Sequence, residues 1–395
     1  MNTHTPYCNG FYLVMAFIAM STMAYAQQKE YLMKGNSDEV AGSFMASYYD
    51  QNGNNAAVTG GRGTEQLSDI ASSLSVNVPL DSVNALNLNL GADFYSSAST
   101  DNIDPFVSSE SSSDIRIYLS GTYTRKNLKK HETYGLGIGA STEYDYQSFS
   151  LNASYVKEWQ QGNSELSING QVFFDTWDAI FPWELRGQVA VPTESRRSYN
   201  LQINFAQVVT KRFQASISSE IVYMNGLLST PFHRVIFENN TGSDIERLPD
   251  NRLKFPLGMR LNYFLGDFLV ARAYYRYYTD DWGIKANTAS LELPVKIWRS
   301  FTIAPFYRYH FQKEADQFAG YAKHQKQQRF YTSDYDLSQF QSHKYGLGLR
   351  YRPLYGLVRL KGKNNASKKI FVIKSLSLRG GLYERSNGLN ASFVT

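Results

Sequence analysis

A chain of 395 residues with 19% charged and 15% aromatic residues, 29 of them Tyr and 24 Phe, and a net charge of only +5 is neither a disordered acidic tail nor a strongly basic nucleic-acid binder. Beyond position 26 no apolar run reaches the roughly 18 residues that a membrane helix needs, so a helical membrane protein is excluded. The single cysteine, Cys8, falls in a leader segment, which removes disulfides, thiolate metal sites and cysteine nucleophiles from the remainder.

Residues 1–26 read as a secretory signal peptide, with an apolar centre from Phe11 to Met23 and a small-x-small cleavage site at Ala24-Tyr25-Ala26. His4 stands where basic residues are usual, and Cys8 lacks the apolar and small neighbours that precede a lipidated cysteine. The exported body is then 27–395.

From about Ala41 strand-like segments alternate with turns nearly to the end. They fall near 42–49, 66–79, 85–97, 114–125, 133–144, 148–159, 164–176, 197–209, 212–224, 251–264, 267–279, 284–297, 301–313, 340–352, 375–385 and 388–394. The period is two: Leu86, Leu88, Leu90, Ala92 and Phe94 oppose Asn87, Asn89, Gly91 and Asp93. In the same way Tyr199, Leu201, Ile203 and Phe205 oppose Asn200, Gln202 and Asn204. The clearest stretch is Asn251 to Gln312, where Leu253, Phe255, Leu257, Met259, Leu261, Tyr263 and Leu265 alternate with Arg252, Lys254, Pro256, Gly258, Arg260 and Asn262. A soluble sandwich also alternates, so the connections decide. Short turns at 81–84, 127–130, 160–163, 210–211, 266–267 and 299–300 lie on one side, and long loops at 50–65, 98–113, 177–196, 225–250 and 314–339 on the other. That parity predicts an all-β fold, a transmembrane antiparallel β-barrel of about 16 strands (14–18), with short periplasmic turns and long extracellular loops. The basic segment Pro353 to Lys374 breaks the parity, being long and on the short-turn side.

Three strings carry a family resemblance: Ala273-Tyr-Tyr-Arg-Tyr-Tyr-Thr-Asp-Asp-Trp-Gly283, Tyr331-Thr-Ser-Asp-Tyr-Asp-Leu-Ser338 and Leu248-Pro-Asp-Asn-Arg252. Together with Asp101 to Asp104 they resemble the bacterial outer-membrane family called domain of unknown function 3570, over most of the exported chain. The resemblance implies an outer-membrane barrel of a Gram-negative bacterium, with no established activity. It also implies an envelope redox context, since members are encoded near a small lipoprotein, a thioredoxin-like protein and a flavin transferase.

Two side-chain groups stand out. Arg252, Lys254, Arg260, Arg272, Arg276, Lys296, Arg308, Lys344, Arg350 and Arg352 share the polar parity of neighbouring strands, with His310 on the same face and Glu292 almost the only acid. Such a wall attracts anions in a narrow lumen. The alternative is a set of ion pairs with Asp93, Asp175 or Glu220, or contacts to a plugging loop. Asp280, Asp281, Asp334 and Asp336 form the second group, at strand ends expected to meet on the outer rim, where carboxylates suit Ca²⁺ or Mg²⁺ bridging lipopolysaccharide phosphates. Solvated turn acids are the alternative, and Asp-Asp-Trp-Gly fits a tight hairpin. No other cofactor is expected. Gly135-Leu-Gly-Ile-Gly139 alternates within a strand and opens no helix, so it is no nucleotide loop. Tyr275, Tyr277, Trp282, Trp298 and Tyr307 read as interfacial girdle residues.

The expected function is a pore or transporter for small anionic solutes. A closed barrel anchoring an envelope partner, such as a small lipoprotein, is the alternative, and a hydrolase using His310 is a third reading. Outer-membrane lipid and lipopolysaccharide are the expected surroundings, and nucleic acid is not a partner.

Overall fold

The structure, a computed structural model, describes residues 39–96, 113–181, 192–361 and 370–395. The signal peptide reading at 1–26 and the Asp101–Asp104 string lie outside the described residues.

In chain order the strands are β1 (Ala41–Gly53), β2 (Glu65–Pro79), β3 (Asn84–Ser96), β4 (Ser113–Asn127), β5 (Glu132–Thr142), β6 (Tyr146–Trp159), β7 (Ser164–Asp178), β8 (Thr193–Thr210), β9 (Phe213–Gly226), β10 (Arg234–Ile236), β11 (Ser243–Ile245), β12 (Asn251–Leu265), β13 (Leu269–Asp280), β14 (Lys285–Glu292), β15 (Val295–Trp298), β16 (Phe301–Gln312), β17 (Phe340–Tyr351), β18 (Val358–Lys361), β19 (Ile370–Ile373), β20 (Leu376–Arg385) and β21 (Asn390–Val394). Consecutive members pair antiparallel, and β1 meets β21 from Tyr48↔Val394 to Asn52↔Asn390, closing a sixteen-stranded transmembrane barrel. Closure leaves no open edge, which is what lets such a sheet stand in hydrocarbon. The hairpins β10–β11 and β18–β19 stand apart from the barrel. The second of these occupies the segment from Pro353 to Lys374, so its length adds a hairpin and leaves the strand parity intact.

One segment expected as continuous, 284–297, is broken between β14 and β15. Pro294 has no N–H to give the ladder, and its carbonyl instead accepts from Val270 N at 3.0 Å. The two pieces serve as one barrel strand between β13 and β16.

The alternation sorts the faces as the sequence predicts. Leu88, Leu119, Leu136, Ile138, Leu151, Leu201, Leu257, Met259, Leu291 and Leu347 all lie exposed on the outside. Exposed aromatics share this outer face: Tyr48, Phe94, Tyr199 and Tyr223 on the long-loop side, Tyr123, Tyr134, Tyr263, Trp298 and Tyr351 towards the short turns, while Tyr275, Tyr277 and Tyr307 pair with Met259, Leu257 and Leu291 and lie level with the apolar band. Trp282 corrects that assignment: it is 3% exposed and points inward, its Nε1–H donating to the Asn251 carbonyl at 2.9 Å. Its even position puts it on the lumen parity, where Arg252 lies over the ring at 4.2 Å.

The barrel interior is not a hydrophobic core. The apolar cluster among the described residues is Val235, Phe237 and Tyr331, and it sits in the loops. There the 227–250 loop with its β10–β11 hairpin packs against the 313–339 loop. Arg247 and Tyr331 exchange backbone hydrogen bonds at 3.0 and 2.7 Å, and Glu238 N donates to His324 O at 2.8 Å. Buried His324 holds the Thr332 carbonyl at 2.8 Å, and Arg234 reaches the Val58 carbonyl of the β1–β2 loop at 2.6 Å. These loops make a small hydrogen-bonded cap at the long-loop end.

Candidate functional site

The predicted basic residues that lie within strands share the lumen parity of their pairings, whereas Arg352 falls just beyond β17, and the strands engage them unequally. Arg252 pairs with Asp280, whose side chain is fully buried and also accepts from the Tyr278 hydroxyl at 2.8 Å. Arg272 and Arg379 share Glu292, at 3.2 and 2.9 Å. Arg260 and Arg276 lie over the rings of Tyr274 and Tyr278, their cross-strand and next-but-one neighbours. Lys254 lies near the loop end of β12, whereas Lys296, Arg350 and Arg352 gather towards the short turns. His310 Nδ1 meets the Thr288 hydroxyl at 2.8 Å, with its ring near Phe340.

Arg260 and Arg276 have no acid partner among the described residues, and Arg308 and Lys344 share that lack but differ in register. They face each other directly across β16 and β17, and among the described residues neither forms an ion pair. Directly opposed like charges destabilise a sheet. They border a niche of about 190 Å³ with Arg379, Glu292, Ser290 and Phe306. Aromatic faces hold two of its cations: Arg379 lies 3.9 Å over Phe306, and Lys344 Nζ 3.9 Å over Phe393. Phe306 and Phe393 can lie there because Gly346 and Gly381 face each other across β17 and β20 and leave the wall without side chains. Arg272 and Arg379 are 45% and 43% exposed although they point inward, so this wall meets water rather than packed side chains.

Arg379 and Arg385 on β20 belong to the same wall and were not among the predicted residues. Their signal was present: Leu376, Leu378 and Leu382 lie outside, and the odd residues between them face the lumen. Across the barrel the acids named as alternative partners stay local. Asp175 pairs with Arg196 at 3.2 Å, and Glu220 accepts from Asn200 at 2.6 Å.

The four predicted rim carboxylates do not meet at one point. Asp280 is held by Arg252 and caps its own hairpin, accepting from Trp282 N and Ile284 N at 3.2 and 3.0 Å. Asp281 is exposed beside it. Asp336 pairs with Arg385, which ties the 313–339 loop to the lumen wall, and Gln312 Nε2 donates to the Asp336 and Ser338 carbonyls at 2.8 and 3.0 Å. Asp334 turns instead to His233 and Glu246 of the neighbouring loop. Burial raises the Asp334 carboxyl above the usual range, with His233 pulling it back. Burial lowers the His233 imidazole, but the adjacent Glu246 carboxylate outweighs this and leaves its pKa above the ordinary value.

Two of the strings that carry the family resemblance meet directly, and the 331–338 string is linked to them through Ala315, whose N donates to the Leu337 carbonyl at 2.9 Å, and its neighbour Asp316. Arg252 binds Asp280, Trp282 binds the Asn251 carbonyl, and Asp316 N of the 313–339 loop donates to the Trp282 carbonyl at 2.8 Å. Among solved structures, the siderophore receptor PirA from Pseudomonas aeruginosa is similar over 91% of this chain and 68% of its own, with 11% identity and a TM-score of 0.42. PirA from Acinetobacter baumannii is similar over 89% of this chain and 60% of its own, with 12% identity and a TM-score of 0.43. A bacterial polysaccharide outer membrane secretin is similar over 91% of this chain and 98% of its own, with 8% identity and a TM-score of 0.45. No curated protein matches the sequence. Residues 15–358 match the sequence profile described as Protein of unknown function (DUF3570), and the chain belongs to that family.

Proposed function

We propose that this barrel is a pore in the outer membrane of a Gram-negative bacterium, exported by the leader at 1–26, and that small anionic solutes pass along its basic wall. The observation that carries this reading is the uncompensated pair Arg308 and Lys344, opposed across two strands beside Arg379. Barrel formation does not need them, since their direct opposition works against the sheet. A passing phosphate or carboxylate relieves that repulsion, and a sixteen-stranded barrel has room for water and a small solute. Charges within about 8 Å of a solute act on it at physiological salt, so such a wall biases a narrow path.

The experiment is the reversal potential of single channels in planar bilayers under a salt gradient. Wild type is expected to favour anions, and Arg308→Glu with Lys344→Glu to shift the reversal potential towards cations. Cation preference in the wild type, or no shift in the double variant, counts against the proposal. A second reading, a closed barrel that anchors an envelope partner such as a small lipoprotein, draws on the loop cap and on the Asp336–Arg385 contact that fixes it to the wall. It predicts negligible conductance and a protein that co-purifies.

A further inference from the structure

His233, Glu246 and Asp334 come from two different loops, yet each brings one ligand atom to within 4.8 Å of the others. We propose that these three side chains bind a first-row divalent cation, zinc being the ion that suits them, and that the ion staples the 227–250 loop to the 313–339 loop. This goes beyond the pore reading and does not depend on it.

The chemistry is an imidazole nitrogen with two carboxylates. Calcium takes six to eight oxygen ligands and magnesium prefers oxygen and water, so neither matches a set of three side chains that includes nitrogen. Zinc accepts His and carboxylate ligands at about 2.0–2.2 Å and commonly keeps its fourth position for water. Two carboxylates and a neutral imidazole also balance the charge of a divalent ion.

Two independent features indicate a prepared site. The first is His233 Nδ1, which is buried without a hydrogen-bond partner and lies 3.5 Å from Glu246 Oε1. A buried ring nitrogen aimed at a carboxylate, without a hydrogen bond of good geometry, is what a ligand looks like when the ion is the missing partner. The second is the support behind the carboxylates. Glu246, with its side chain 2% exposed, accepts the Thr332 hydroxyl on one oxygen and Thr230 N–H on the other, at 2.6 Å. Asp334 Oδ1 accepts Asp336 N–H at 2.9 Å, and Asp334 N donates to the same Thr332 hydroxyl at 3.0 Å. Thr332 thus orients both acids from behind and leaves lone pairs on them for a cation.

The test uses the whole exported chain, purified in detergent and freed of metal by chelation, then titrated with Zn²⁺ by calorimetry and with Co²⁺ by visible absorption. The wild type is expected to bind one Zn²⁺ per chain and to give Co²⁺ ligand-field bands, with excess Ca²⁺ failing to compete. His233→Ala and Glu246→Gln are each expected to weaken Zn²⁺ by about tenfold or more, a loss in the range seen for disrupted metal shells. Heat-modifiable gel migration establishes that each variant is a folded barrel. Should one fail to fold, Asp334→Asn and the wild-type Co²⁺ spectrum carry the decision. A wild type without Co²⁺ bands, or a folded His233→Ala with wild-type affinity, overturns the proposal and leaves the cluster as a His233–Glu246 ion pair.

Discussion

Leu257 offers the most direct measurement of which face meets lipid. It is the seventh residue of the 15-residue strand β12, paired to Tyr277 on one side and Ser219 on the other, and 50% exposed on the outer face. With a rise of about 3.4 Å per residue and a tilt near 45°, six residues place it roughly 14 Å below the loop end, close to the middle of an apolar band about 25 Å tall. Arginine at such a position costs about 2–4 kcal/mol. Arg260, three residues on, points into the lumen and is not ion-paired among the described residues; its ring contact with Tyr274 is worth about 0.5–1 kcal/mol at an exposed site. Leu257→Arg should therefore lower folding stability by at least about 1 kcal/mol more than Arg260→Leu, a factor of about five or more in the folded-to-unfolded ratio. Urea titration of refolding into lipid vesicles, followed by tryptophan fluorescence and gel shift, measures both. Equal losses, or a greater loss for Arg260→Leu, would refute the placement of lipid against the odd positions of β12.

Two further outcomes follow from the packing. Alanine at Gly346 would put its Cβ 2.1 Å from the Gly380 carbonyl oxygen and 2.6 Å from Gly381 Cα, whereas at Gly348 the nearest atoms are 3.5 Å away. Gly346→Ala is expected to destabilise the barrel by about 1–3 kcal/mol and lower its gel-shift temperature, with Gly348→Ala near neutral. Asp280→Ala removes the partner of the half-buried Arg252 and the cap of the 281–284 turn, a loss of about 3–5 kcal/mol for a buried pair. Limited trypsin digestion should then cut at Arg247 and Arg329 sooner than in the wild type.

The barrel was legible because its signal is repeated in every strand. Leu86 to Phe94, Tyr199 to Phe205 and Leu253 to Leu265 each alternate as one lipid face and one wet face, and every strand segment predicted has its counterpart in the closed sheet. Trp282 departs from the girdle expectation because its hairpin lies at the aromatic level while its even position points it inward. The loop cap was not legible. His233 and Glu246 lie in one loop and Asp334 in another far along the chain, with no periodic spacing, so their meeting depends on how two irregular loops fold against each other. The strings near Asp280 and Tyr331 marked the right region, yet grouping their acids by residue type joined Asp280 to Asp336 where the fold gives each its own arginine.

The two walls of the barrel can be compared under identical constraints, since both are antiparallel strands with one face in lipid and one in the lumen. On β6 to β9 the lumen charges are answered locally: Arg196 meets Asp175, Asn200 meets Glu220, and Ser148 donates to Asp175 at 2.7 Å. On β12 to β20 acids meet Arg252, Arg272 and Arg385, while Arg260 and Arg276 lie over tyrosine rings instead. Keeping charge out of lipid explains why these side chains point inward on both walls. It does not explain why Arg308 and Lys344 oppose each other in the middle of the second wall without an acid, when the first wall shows that this architecture accommodates compensation. On the proposed reading the pair, beside a niche where Lys344 lies over Phe393, Arg379 lies over Phe306 and Glu292 is already shared by two arginines, would draw its missing negative charge from a passing anion.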